Sequence, residues 1–382
     1  MSKIKVNSLE GVGASTPAIS IDNASGTCTA NITSNGGSQI SNRNVIINGS
    51  MIVDQRNGGS SITPADTDYT CDRWRYTASQ ASKFNVQQLS TSPPTGFLNY
   101  LKFTVASAVT VGTNDYFAIE QRIEGQNVTS RFGLGTANAK VLKLSFHVKS
   151  SLQGTFGGAI RGAGFSRTHP FSYTISSADW EKKTVTIAAD TSGSYSTNNT
   201  TALGVLFSLG AGSGKSGTAG AWTASDLFSA TGAVSVVGTG SATFEITGVQ
   251  LEEVVATDFE HRTFGQEFAL CQRYYQQYTN IMSVGYVPDN SSKSYSHGFH
   301  FPVEMRAAPT LTVTNTGSTA GQYVNDGDTN RSISSLNSSA AQTSQIEYYF
   351  NLSGDLSNFR GAYAVASTST TYQSIYKITA EL

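Results

Sequence analysis

Phe244 to Tyr278 reads FEITGVQLEEVVATDFEHRTFGQEFALCQRYYQQY, and this stretch decides the fold. Phe244 and Ile246 alternate with Thr243, Glu245 and Thr247, the two-residue period of a half-buried strand. Gly248 breaks the alternation before Val249 and Leu251, which predicts a bulged strand that closes a sheet domain. From Thr263 to Tyr278 the chain has no proline, one glycine and good helix formers. Phe264, Phe268, Cys271, Tyr275 and Tyr278 then follow at steps of 4, 3, 4 and 3, which predicts one stripe of a short helix. Two heptads are too few for a coiled coil, so the expected role of this seam is packing against the neighbouring sheets, with a trimer as its other natural partner.

Working outward, the chain of 382 residues is long enough for two or three domains. Only 13% of residues are charged and 37 are glycine, a composition of sheets faced with Ser, Thr and Asn rather than of long charged helices. A formal net charge of -1 offers no broad positive field, which argues against nucleic acid as a partner. The first residues lack the apolar core of a secretory signal and no run suits a membrane span, so a soluble chain made in the cytoplasm is expected, with no membrane insertion. Cys28, Cys71 and Cys271 are too few and too scattered for a disulfide framework and are expected as buried free thiols.

Short strand-like runs separated by Gly, Ser and Pro recur from Val45 onward: Tyr69 to Tyr76, Leu98 to Val105, Asp115 to Ile123, Leu142 to Val148, Gly158 to Ile160, Thr184 to Ile187, Leu203 to Ser208 and Val234 to Val237. This is the spacing of a β-sandwich. After the helix, runs from Met282 to Val287, His297 to Val303, Thr310 to Asn315, Tyr323 to Asn325, Gln345 to Leu352, Gly361 to Ala366 and Tyr372 to Glu381 predict a second, smaller β-domain. That domain is rich in tyrosine, and Tyr286, Tyr295, Tyr323 and Tyr372 are its candidate receptor contacts, since Tyr combines a rigid surface with a hydroxyl.

Gln250-Leu251-Glu252, Ala256-Thr257, Phe259-Glu260-His261-Arg262 and Gly265 to Tyr275 together resemble a junction found in bacteriophage tail-fibre and other virion surface proteins. Asn44 to Met51 with Gln55-Arg56, and Asp72-Arg73-Trp74, resemble the opening of the same domain, and Phe301 to Thr310 resembles the terminal domains of phage fibres. The resemblance implies an all-β chain: residues 1–43 as a virion-anchoring or trimerising segment, 44–262 as a jelly roll shaped like a carbohydrate-binding module, 263–279 as a linking helix and 280–382 as a β-sandwich. It further implies a homotrimer held to other virion proteins through residues 1–43, with a host-surface glycan or receptor as its target. In this family a glycine commonly stands near Glu253 or Val254, and this chain has none there.

Catalytic motifs are tested and set aside. Leu209 to Ser216 lacks the first glycine of a phosphate-binding loop, and Lys215-Ser216 runs on into more glycines rather than a helix. His297 and His300 lie three apart on a predicted strand, hence on opposite faces, and Asp326-Gly-Asp328 reads as a turn, so neither metal nor cofactor is expected. Glu252 and Glu253 are adjacent and diverge if the strand continues through them; no nucleophile elbow accompanies them. Trp180 is expected in the sandwich core, with a sugar-stacking platform as the alternative; it is grouped with Phe259, Glu260 and Arg262 as a structural junction residue, Glu260 and Arg262 being expected as an ion pair that pins the domain end. The expected function is non-enzymatic attachment by a tail fibre, with capsid decoration and polysaccharide cleavage as the alternatives.

Overall fold

A computed structural model describes residues 42–279 throughout and, outside them, strand segments together with residues 298–316, 330–352 and 373–382. The chain is all-β, with two short α-helices among the described residues. Near the N-terminus, β1 (Ser8–Leu9), β2 (Ile19–Ile21) and β3 (Cys28–Ala30) form an antiparallel meander.

The jelly roll begins with β4 (Tyr69–Cys71) and β5 (Trp74–Ala78), followed by β6 (Phe84–Leu89), β7 (Tyr100–Val105) and β8 (Tyr116–Glu124). The expected single strand from Tyr69 to Tyr76 is thus a tight hairpin, turned at Arg73 with φ +70°. After α1 (Gly125–Phe132) come β9 (Leu142–Ser150), β10 (Gly154–Gly162), β11 (Arg167–Ile175), β12 (Glu181–Ile187), β13 (Thr201–Ala211), the two-residue β14 (Ser216–Gly217) and β15 (Ser229–Ala230), and β16 (Thr243–Glu253). Val234 to Val237 is not a strand, although Val236 and Val237 are fully buried.

Two antiparallel sheets face each other, ordered β11-β10-β13-β8-β5-β4 and β12-β9-β16-β7-β6. Alternation fixes which side chains fill the gap. Leu142, Leu144, Phe146 and Val148 of β9 point inward, as do Leu203, Val205, Phe207 and Leu209 of β13, all within one continuous core. Phe207 meets Trp74, Phe146 and Phe171 at ring separations of 6.5, 4.8 and 6.0 Å, so both sheets are locked by aromatic contacts at mid-depth. The predicted bulge is present: β16 shifts register against β9 between Thr247 and Gln250, with Gly248 at φ +64°.

The helix is shorter than its stripe suggested. α2 spans Phe264–Gln272 and is opened by a capping box in which Thr263 and Gln266 serve each other's backbone N–H. Tyr275 and Tyr278 lie instead on β17 (Tyr275–Thr279), so the five-residue seam does not exist as one helical face. Within α2, Cys271 is buried with Tyr274, Ile47 and Val53, while Phe264 is 55% exposed and stacks on Phe268 at 5.7 Å. The helix therefore packs on the opening of the jelly roll. Cys71 and Cys271 are both buried and free.

The C-terminal β-domain adds β18 (Ser283–Tyr286), β19 (Lys293–Ser296), β20 (Phe299–His300), β21 (Thr310–Thr316), β22 (Tyr323–Asn325), β23 (Asn330–Ala341), β24 (Gln345–Leu352), β25 (Gly361–Val365) and β26 (Gln373–Thr379). Its sheets run β17-β26-β21 and β19-β18-β25-β22-β23-β24-β20, enclosing Phe301, Met305, Ile346, Ile378 and Ala380. Among the described residues no helix is long and apolar enough to cross a membrane.

Candidate functional site

The outer face of the five-stranded sheet carries an aromatic shelf, built where three segments converge on the bulge of β16. The first segment is the turn before β12. The Glu181 carboxylate accepts the backbone N–H groups of Ser176 and Ser177 at 2.7 and 2.9 Å and the Lys183 ammonium at 2.5 Å. The Lys183 contact, helped by those two backbone bonds, holds the Glu181 carboxyl down at about 2, so the turn stays knit while the acid is charged. Trp180 stands on this turn, half-buried, its Nε1 donating to the Ser92 carbonyl at 3.1 Å and its ring set edge-on to Tyr100 at 5.2 Å.

The expectation of a core tryptophan is therefore corrected. Trp180 falls on the outward parity of β12, the same side as Lys182, while the core between the sheets is filled by Trp74 and the phenylalanines.

The second segment is the loop from Ser90 to Asn99, anchored by Thr247 Oγ1 donating to the Asn99 carbonyl at 2.8 Å. Its Phe97 drops into the space that Gly248 leaves open: a Cβ on Gly248 would lie 2.6 Å from Phe97 Cζ and 2.9 Å from His147 Nδ1. The bulge thus does two things at once, supplying a left-handed residue and a socket for an aromatic ring. The third segment, Ala256 to Arg262, brings Phe259 and His261 to 5.1 and 5.4 Å from Phe97, while His147 lies at 4.9 Å. Burial, reinforced by Lys182, lowers the His147 pKa and favours the neutral imidazole. Lys182 reaches Asp258 at 3.4 Å at the exposed rim, and Leu98 is 69% exposed beside it in the chain.

Chemically the shelf offers aromatic surface, imidazole and amide-scale hydrogen bonding, and a rim charge pair. Its acids are already paired: Glu181 and Asp258 each hold a lysine, and Glu245, on the same face beside Tyr100, holds Lys102 and Lys149. The arrangement suits stacking and hydrogen bonding with a hydroxyl-rich ring.

Of the other junction residues, Glu260 and Arg262 do not pair with each other. Glu260 Oε2 accepts the Asn44 backbone N–H at 2.7 Å, and Arg262 donates to the carbonyls of Asn44 and Ile46 and to Glu267 at 3.3 Å. Both still pin the domain end, because both grip the segment that opens the jelly roll. The candidate receptor tyrosines are only partly placed: Tyr286 and Tyr295 are register partners across β18 and β19, and Tyr323 pairs with Ser332 and Val365, while Tyr372 lies outside the described residues, as do His297 and Asp326 to Asp328. The register brings none of the three to the shelf. Sequence reasoning quoted Phe259 and His261 in its junction motif but missed Phe97, Tyr100 and His147 as their partners. The only local signals were the Pro93-Pro94-Thr95-Gly96 turn and the break at Gly248.

A second cleft of about 390 Å³ opens where the two domains meet, lined by Arg56, Asn57, Asp68, Tyr69, Tyr275 and Lys377 among others. Its aromatic faces are already engaged, since the Arg56 guanidinium sits 4.5 Å from the Tyr69 ring centroid and 3.7 Å from that of Tyr275.

No protein-family profile matches this chain, and no curated protein matches it significantly. Solved structures do align with part of it. A family 4 carbohydrate-binding module aligns at 15% identity with a TM-score of 0.29, covering 54% of this chain and 98% of the module. Bacteriophage CBA120 tailspike protein 4 aligns at 10% identity and a TM-score of 0.30, covering 56% of this chain and 22% of that one. A family 61 module solved with β-1,4-galactotriose aligns at 10% identity and a TM-score of 0.26, covering 47% of this chain and 88% of the module.

Proposed function

We propose that this chain is a non-enzymatic attachment protein of a phage virion, a tail fibre or receptor-binding protein working as a homotrimer, and that its jelly roll binds host-surface glycan through the Trp180 shelf. The observation that carries the reading is the shelf itself: a half-buried tryptophan, oriented by its Nε1–H bond to Ser92 and braced by Tyr100, on a sheet face where Lys182, Asp258 and His261 supply donors and acceptors. Stacking on such a ring contributes roughly 1 kcal/mol beyond its buried area, so one copy binds weakly and three copies on one particle supply avidity. The tail placement and the trimer rest on the junction motif around Gln250-Leu251-Glu252.

The test is binding of purified wild-type and Trp180→Ala protein to an array of bacterial surface saccharides. Trp180→Ala is expected to weaken the bound saccharide at least about tenfold while leaving the unfolding midpoint in place. An array on which the wild type holds nothing, or on which both proteins bind alike, overturns the assignment of the shelf. Release of reducing ends from a bound polysaccharide would replace attachment by cleavage, and antibody to this chain decorating phage heads rather than tails would move it to the capsid.

A further inference from the structure

The opposite face of the sandwich carries a different chemistry. Across the outer side of the six-stranded sheet, strand register aligns Arg161, Gly204 and Arg122 in one row and Leu206, Glu120 and Arg75 in the next. Glu120 is fully buried and gripped from two sides, by Arg161 Nη1 at 3.1 Å and by Arg122 Nε at 3.1 Å. Arg161 also reaches Asp226 at 2.5 Å, and Lys215 takes the other oxygen of Asp226 at 3.0 Å. Four cations thus face two acids, a surplus of two positive charges on a chain whose net charge is -1.

Arg161 gives both terminal amino groups to those acids, though its buried Nε makes no hydrogen bond, and two other cations are engaged less. The two terminal amino groups of Arg122 meet no acceptor among the described residues, and its side chain is 20% exposed. Arg75 has no ion-pair partner among the described residues, and its Nε is buried with no hydrogen bond. Above this floor lies Phe165, half-buried, its ring centroid 4.6 Å from the Arg122 guanidinium and 4.2 Å from that of Arg161. Phe165 sits at φ +66°, a conformation that bulky side chains avoid. Gly204 keeps the floor clear, since a Cβ there would lie 2.8 Å from Glu120 Oε1 and 3.5 Å from the Phe165 ring.

We propose that this face binds an anionic saccharide unit, whose acid group is received by Arg122 and Arg75 and whose ring packs against Phe165. A guanidinium presents a planar fork matched to carboxylate or phosphate oxygens, and such an anion removes a charge surplus that a neutral sugar would leave standing. The site lies on the sheet opposite the Trp180 shelf and does not depend on it.

The experiment measures binding of the full chain at low and high salt to polygalacturonate, to poly(glycerol phosphate) and to neutral dextran. Wild type is expected to hold one acidic polymer at least about tenfold more tightly than dextran at low salt, with the preference shrinking at high salt. The two acidic arms decide between carboxylate and phosphodiester. Phe165→Gly and Arg75→Gln should each weaken that binding several-fold. Phe165→Gly guards against misfolding as an explanation, because glycine accepts φ +66° without strain and the variant is expected to unfold no earlier than wild type. The proposal is overturned if neither acidic polymer is preferred over dextran, or if both variants bind the acidic polymers as wild type does.

Discussion

Val254 follows the last residue of β16 with φ +66°, and its side chain is 57% exposed. A β-branched residue in the left-handed region is strained by roughly 1 to 3 kcal/mol, and an exposed side chain gains little burial to offset it. The turn is therefore made with a residue poorly suited to it, where glycine would fit without strain. The Val254→Gly variant is expected to be more stable by about 1 kcal/mol, after allowing for the greater freedom of glycine in the unfolded chain. Urea denaturation checks this: a midpoint that stays put or falls would mean the turn is held for another reason. At Gly248 the logic is reversed, because there the left-handed residue must also lack a side chain to leave room for Phe97 and His147.

At the scale of elements, α2 shows why periodicity alone misjudged the segment. Tyr275 and Tyr278 fit a helical stripe, yet a strand partner is available, since Tyr275 to Thr279 pairs residue for residue with Ile375 to Thr379 of β26. Aromatic residues sit as readily on a pleated edge as on a helix, so the long-range pairing decides. The switch is fixed at Arg273 and Tyr274, where Glu124 takes both Arg273 Nε and Nη2 at 2.9 Å and the Tyr274 hydroxyl at 2.5 Å. With a helix of only nine residues, its N-terminal cap matters. Thr263→Ala removes the oxygen that accepts the Gln266 N–H and is expected to destabilise the chain by about 1 kcal/mol. Thr263→Ser should recover most of that loss, and equal midpoints for the Ala and Ser variants would rule out the cap as the cause.

At the scale of the whole molecule, the last residues of the chain fasten the C-terminal domain to the jelly roll. Glu381 pairs with Arg73 and, at 2.7 Å, with Arg56, while Arg306 donates to the carbonyls of Asn199, Ala380 and Glu381 at 3.0, 2.8 and 2.8 Å. Arg73 is 1% exposed and stacks on Tyr274 at 3.5 Å, so this ionic contact is shielded from solvent and from salt. Beside it Asp72 accepts the backbone N–H and side-chain amide of Gln55 at 3.0 and 2.5 Å. Burial raises the Asp72 carboxyl to about 7, against the opposing pull of Arg56 and Gln55. A carboxyl whose folded pKa is raised stabilises the fold fully below the ordinary carboxylate range, near 4, and loses that contribution as pH rises through about 7. Asp72→Asn, which mimics the protonated side chain, should therefore gain on wild type between pH 4 and pH 7, on the order of 2 kcal/mol across the window. Paired thermal melts at closely spaced pH values test this, and a difference that does not vary with pH would remove Asp72 from the linkage.

The sequence by itself determined the class of fold, the bulged final strand and most of the jelly-roll strands, because alternation and turn residues are local signals that each segment carries alone. It also marked Gly248 and the segment containing Phe259 and His261. Only the tertiary structure decided that Trp180 faces outward, that Phe97, Tyr100 and His147 join it, and that Arg122 and Arg75 share a sheet face with Phe165. Those groupings arise from strands distant in sequence whose pairing register is set by the closed core, and no run of neighbouring residues encodes which face a given side chain will share with another.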